Sequence, residues 1–158
     1  MSDATFEEGE TAALYLTAED GEDLAVISAL CQDAVFPITE MIWKARARQF
    51  ALLLNRFRWE DHAAATREGR PFERVRAVLS VADVRRVTSQ GIDRADPDLI
   101  LSILSISFEP GEDGTGRISL TLAGDGAVVL EVECLDVTLR DVTQPYPAPS
   151  GLAPEHQG

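Results

Sequence analysis

From Ala34 onward, apolar residues recur at every second position, the spacing of strands that bury one face in a sheet. The clearest case is "RISLTLAGDGAVVLEVEC". Ile118, Leu120 and Leu122 alternate with polar residues, Gly124-Asp125-Gly126 turns the chain, and Val128, Leu130, Val132 and Cys134 alternate again. Asp-Gly between alternating runs predicts a primed hairpin turn, because glycine tolerates φ > 0. "AVFPITEMIW" and "QFALLLNRFRW" read as strands joined by the basic turn "KARAR". In the second, Phe50, Leu52 and Leu54 share a face with Arg56 and Arg58, while Ala51, Leu53, Asn55, Phe57 and Trp59 share the other. Leucine on both faces implies cover on both sides mid-strand, with an edge opening near the arginines. "FERVRAVLSV" places Val75, Ala77, Leu79 and Val81 inward and Arg74 and Arg76 outward, and "DLILSILSISFEP" reads as a central strand.

Three segments are less determined. "EDHAAATREGRP" reads as a polar connector. "ADVRRVTSQGI" is either a continuation past a bulge or a short turn, and "LDVTLRDV" is either a strand or a closing helix. Only "EDGEDLAVISALCQD" has helical spacing. Asp20 is the expected N-cap, Glu22 and Asp23 put negative charge on the first turn, and Leu24, Ile27 and Cys31 recur at i, i+3 and i+7. Ala25, Val26, Ala29 and Leu30 widen the stripe, which predicts a mostly buried helix.

The order of strand ("TAALYLTA"), helix and then about six strands predicts an α+β fold. Its connections are too short for crossovers, so the sheet is a predominantly antiparallel β meander with one main amphipathic helix near the N-terminus. A sheet of that size curls into a partial barrel or a sandwich. The expected organisation is a disordered acidic N-terminus over 1–10, one domain over 11–142 and a Pro-rich disordered tail over 143–158.

Charge narrows the function. The 158 residues carry 27 acids against 14 Lys and Arg, a formal charge of −13, which repels phosphate backbones and anionic lipids. Nucleic-acid binding is therefore not expected. No apolar run reaches membrane-span length, and the start lacks the apolar core of a secretory signal, so the expected location is the cytoplasm. Cys31 and Cys134 are expected as two buried thiols.

No catalytic or metal constellation emerges. His62 in the connector and His156 in the tail are the only histidines, too few for a zinc site or a Ser-His-Asp triad, and His62 is expected to be exposed. "GEDGTGR" lacks the Lys-Ser/Thr pair of a phosphate loop and reads as a turn. Glu131 and Glu133 share one strand face, where alternation puts them in water. No cofactor is implied.

The bases cluster between residues 44 and 86, eleven of them against five acids. Lys44, Arg46 and Arg48 belong to a turn. Arg56, Arg58, Arg74 and Arg76 are expected to line adjacent strands and share one sheet face. They are neutralised either by the chain's own acids, at Glu19–Asp23 or Glu131–Asp136, or by an anionic ligand or acidic partner.

In order along the chain, "EDLAVISALCQDAV", "FALLLNRFRWE", "FERVRAVLSV", "SILSISFEPG" and "LEVECLDV" resemble the uncharacterised alphaproteobacterial family catalogued as domain of unknown function 2948. The resemblance runs from Leu14 to about Val142, and "NRFRWE" is its most distinctive element. It implies a small cytoplasmic bacterial protein and transfers no catalytic residue. The leading reading is a non-enzymatic binding or interaction module with a protein partner or a second copy of itself. The alternative is an enzyme or binder of a small anionic ligand at the Asn55–Glu60 strand end, with Asn55, Arg56, Arg58, Trp59, Arg74 and Arg76 as its binding residues.

Overall fold

The computed structural model describes residues 13–149 and 153–154; the acidic start assigned to 1–10 lies outside them. Antiparallel strands make up most of the regular secondary structure among the described residues. In chain order the elements are β1 (Tyr15–Ala18), α1 (Gly21–Leu30), β2 (Val35–Pro37), β3 (Met41–Lys44), β4 (Gln49–Phe57), α2 (His62–Glu68) and β5 (Glu73–Val81). There follow β6 (Val84–Gln90), β7 (Ile100–Pro110), β8 (Gly116–Leu122), β9 (Ala127–Val132), β10 (Val137–Asp141) and β11 (Tyr146–Pro147). None of the described helices is long and apolar enough to cross a membrane.

The eleven strands form one open sheet in the order β1-β10-β5-β4-β2-β7-β8-β9-β6, with β11 pairing on β5 and β3 on β4. It is a meander over β3-β4-β5 and β7-β8-β9; elsewhere β2 is inserted between β4 and β7, and β10 returns to lie outside β5. Strand β7 serves both halves. Its first residues pair with β2 and the rest with β8, with the register shifting between Ile103 and Ser105. A bulge adds local twist and bends the strand, so the corner of the curl sits there. At the other end, Ala82 and Asp83 carry the chain straight from β5 into β6, with Asp83 at φ 56°. "ADVRRVTSQGI" is thus a separate strand on the far end of the path. Curling brings Leu52 and Leu79 of one half together with Leu120 and Leu130 of the other in a single core. The terminal strands β1 and β6 do not pair, so the curl stays unclosed.

Helix α1 begins where expected: the Asp20 carboxylate accepts from the Asp23 N–H at 2.8 Å. It buries less than the sequence implied. Leu24 and Ile27 enter the core, but Val26 stays half exposed, because α1 packs on β1 and β7 along one side only. The hairpin between β8 and β9 turns through two left-handed residues, at Gly124 and Asp125 rather than Asp125 and Gly126. This is a primed geometry displaced by one residue.

Three further expectations are corrected, and the open choice between strand and helix over "LDVTLRDV" is decided. The polar connector contains α2, whose alanines favour helix and whose chain reverses at Gly69, at φ 65°. Residues 137–141 form β10, not a helix, because Val137 and Leu139 find Val81 and Leu79 across β5. The start of the supposed tail is tied down, with Tyr146 opposite Arg74 and the Ala148 N–H donating to Phe72 O. Cys31 is buried as expected, but Cys134 is exposed.

Cys134 stands beyond the end of β9, where its thiol donates to Asp83 Oδ2 at 3.1 Å. That hydrogen bond, with some desolvation and the nearby charge of Asp83, raises its pKa to about 11. Asp83→Asn removes the negative acceptor and is expected to speed alkylation of Cys134 by iodoacetamide at mildly alkaline pH roughly tenfold, after allowing for the lower nucleophilicity of a less basic thiolate. Cys31, which burial pushes up to about 12, serves as the unreactive internal control. An unchanged rate in the variant rules out control by Asp83.

Candidate functional site

Cross-strand register decides where the six proposed site residues go. Asn55 pairs with Arg76, Arg56 with Val75 and Phe57 with Arg74. Directly paired residues share a face, so Arg56 points to the core side with Val75, and Asn55, Arg74 and Arg76 point to the outer side. The expectation that all four arginines share one face is wrong: Arg56 and Arg58 are separated from Arg74 and Arg76. The edge near the arginines does not open either, since Arg56 has 0% exposure and Arg58 5%.

On the core side the arginines are met by carboxylates. Asp141, on β10, accepts from Arg56 Nε at 3.0 Å and from Nη2 at 2.9 Å. Glu60 accepts from Nη1 at 2.8 Å and Nη2 at 2.7 Å. The second oxygen of Asp141 also accepts from the Leu14 N–H at 3.0 Å, so one buried carboxylate ties β1 to β10 and β4. Arg58 Nη1 donates to Glu73 at 2.5 Å and lies 3.6 Å from Asp61, whose oxygens take both Nη atoms of Arg70 at 3.1 Å. Three bidentate pairs, Arg56–Asp141, Arg56–Glu60 and Arg70–Asp61, combine charge with fixed geometry. Burial disfavours the Arg56 charge, but the hydrogen bonds and charges of Glu60 and Asp141 outweigh it and hold the guanidinium above its ordinary pKa. Burial likewise pushes Glu60 up, and Arg56 pulls it down further, leaving it below the usual glutamate value. The arginines are neutralised within the chain, but by Glu60, Asp61, Glu73 and Asp141, not by the acids of residues 19–23 or 131–136. Those acids have other surroundings: Glu133 pairs with Arg48, and Glu131 lies 3.8 Å from Arg86, both at the surface.

Most residues of "NRFRWE" fasten a different element. Asn55 Nδ2 donates to Tyr146 Oη on β11, Arg56 holds β10, and Arg58 holds the start of β5. Trp59 Nε1 donates to Gln32 O at 2.9 Å, just past α1, and Glu60 folds back on Arg56. Phe57 is fully buried at the centre of an aromatic cluster with Trp59, Phe72 and His62. His62 is not the exposed residue expected; its ring stacks on Phe72 at 5.0 Å with planes 4° apart. The distinctive motif is a structural hub. Sequence reasoning missed its acidic partner Asp141, which lies 85 residues from Arg56 and gives no local signal.

The outer side differs in character. Tyr15, Arg140, Val78 and Leu53 lie in register across β1, β10, β5 and β4, and Ile42, Ala51, Ser80 and Thr138 form the adjacent row. Ile100 is 60% exposed and Ile42 48%. Two shallow grooves mark this face. One, of about 250 Å³, runs between Val35, Pro37, Leu53 and Ile100, with Asn55, Arg76 and Glu40 also lining it. The other, of about 260 Å³, lies between Tyr15, Val78, Thr138 and Arg140. Arg74 donates to Asn55 O and Oδ1 at 3.3 and 3.4 Å, and its burial, partly offset by Tyr146 and Asp33, lowers its pKa. Among the described residues, no group of three or more His, Cys, Asp or Glu is placed to hold a metal ion.

Comparison with known proteins adds one match. A family profile with the description "Protein of unknown function (DUF2948)" matches residues 14–156. No curated protein and no solved structure matches the chain.

Proposed function

Since the chain belongs to the DUF2948 family, whose function is unknown, we propose from its geometry that it is a small cytoplasmic, non-enzymatic module that binds a protein partner through the outer face of its sheet. One observation carries this reading. The row Tyr15–Arg140–Val78–Leu53, with Ile42 and Ile100 beside it, presents apolar side chains and two grooves to solvent on a face that an ordinary solvated sheet fills with polar residues. The competing reading, a small anion at the Asn55–Glu60 strand end, has less support. An anion at Arg56 or Arg58 must first displace Asp141, Glu60 or Glu73 from buried pairs.

The test places Glu at Leu53 and Ile100, both on this face, so that the core is left intact. Tagged wild-type chain is expected to retain a partner from native-cell lysate that the Leu53→Glu, Ile100→Glu variant loses, while both give the same circular dichroism spectrum. Equal retention by both chains, or retention of no specific protein by either, overturns the proposal.

A further inference from the structure

The acidic chain reverses its charge on this one face. Lys44 shares the face with Ile42 and Gln49, and Arg74, Arg76 and Arg140 follow from the register of β5 and β10. On the core side every arginine of the cluster is paired with carboxylates. By contrast, none of these four outer cations makes a salt bridge among the described residues, although the chain holds 27 acids. Two acids stand close: Glu40 lines the first groove, and Asp33 lies near enough to Arg74 to act on its charge. Within a molecule of net −13, cations left this way among apolar side chains are complementary to a ligand that is both acidic and apolar.

Size and shape narrow the ligand class. Each groove is smaller than the roughly 300–1,000 Å³ of ordinary small-molecule sites, and each is open to solvent on the sheet surface, so each suits one or two side chains. Lys44 stands opposite Gln49 and Arg76 opposite Asn55, six positions further along β4, or about 20 Å at strand rise. A segment of about six or seven extended residues spans that distance, with apolar side chains in the grooves and carboxylates over the cations. Resting on the functional reading above, we infer that the partner presents an extended acidic segment with interspersed apolar residues, and that Lys44, Arg74, Arg76 and Arg140 receive its carboxylates.

Lys44 is the only lysine in the sequence and therefore its one side-chain amine for cross-linking. Full-length chain, isotopically labelled so that its own peptides are recognised by mass, is treated in native-cell lysate with a zero-length carboxyl-to-amine carbodiimide. The expected product joins Lys44 to an Asp or Glu within an acidic, apolar-interspersed stretch of an unlabelled polypeptide. Its yield is expected to fall roughly tenfold in the Arg76→Glu, Arg140→Glu variant, and also in about 0.5 M salt, where screening shortens charge interactions to a few ångströms. Arg67→Glu, on α2 and away from this face, is the control and should leave the yield unchanged. Joining of Lys44 only to the chain's own acids, or to a second labelled copy, assigns the face to those occupants and overturns the inference, as does the absence of any Lys44 product. If Leu53→Glu, Ile100→Glu abolishes partner retention but Arg76→Glu, Arg140→Glu does not, the acidic ligand fails while the binding face stands. If neither variant changes retention, both fail.

Discussion

Arg56→Met is expected to lower the unfolding free energy by about 3–5 kcal/mol, the range for removing one partner of a buried ion pair. Methionine approximates the length of the arginine stem, so the cost is mainly electrostatic and not a cavity. The substitution leaves Asp141 with 8% exposure and no counter-charge, holding only the Leu14 N–H. Glu60, at the rim, recovers part of its loss by turning to water. Urea denaturation measures the change, and a cost under about 1 kcal/mol would show that Asp141 is solvated in ways its burial does not indicate. The double variant Arg56→Met, Asp141→Leu removes both charges and is expected to be more stable than Arg56→Met alone, because an apolar pair avoids the stranded carboxylate. The same pair sets an acid limit. Arg56 holds the folded-state pKa of Glu60 below its unfolded value. The resulting stabilisation is complete above the unfolded value of about 4.3 and is lost as pH falls through the lower folded value. Wild-type stability should therefore fall on acidification below about pH 4, and the Arg56→Met variant should show a shallower fall.

Phe57→Ala is expected to cost about 3–5 kcal/mol, the usual range for emptying a buried aromatic site. Phe57 has 0% exposure, with Trp59 at 4.6 Å and Phe72 at 5.7 Å between ring centroids. Its loss should also have a local signature. Helix α2 has only seven residues, far short of what holds an isolated helix in water, so it depends on this cluster for anchorage. Hydrogen exchange is expected to accelerate over residues 62–70 more than over β8 and β9, and Trp59 emission should shift to the red. Uniform acceleration across the sheet would instead mean that Phe57 supports the global fold and not α2 in particular.

These two residues are adjacent in sequence, and the period of two correctly sends them to opposite sides. Alternation likewise separated Val75, Ala77, Leu79 and Val81 from Arg74 and Arg76, found the β8–β9 hairpin, and left one helix start at Asp20. All of these depend on residues a few positions apart, whose relation is set by strand or helix geometry whatever the rest of the chain does. What alternation could not decide was which side of β4 would be the dry one at its far end. Arginine at 56 and 58 reads as solvent-facing, and phenylalanine and tryptophan at 57 and 59 as interior, yet both sides are buried there. Burial of Arg56 becomes tolerable only when Asp141 and Glu60 arrive together, and Asp141 comes from a strand whose own identity depended on pairing with β5.

By itself, then, the sequence determined the strand-rich antiparallel character, the helix start, the acidic balance and the separation of inward from outward side chains on β5, because each is a local pattern. Tertiary structure alone decided the strand order, the anchoring of Tyr146 on β5 and the sorting of six candidate site residues among a buried charge cluster, an aromatic cluster and an outer face. Those outcomes follow from cross-strand register and from carboxylates, two of which, Glu73 and Asp141, lie 15 and 85 residues away from the arginines they neutralise. Low-dielectric pairing is selected by which groups meet in space, and spacing along the chain carries no record of it.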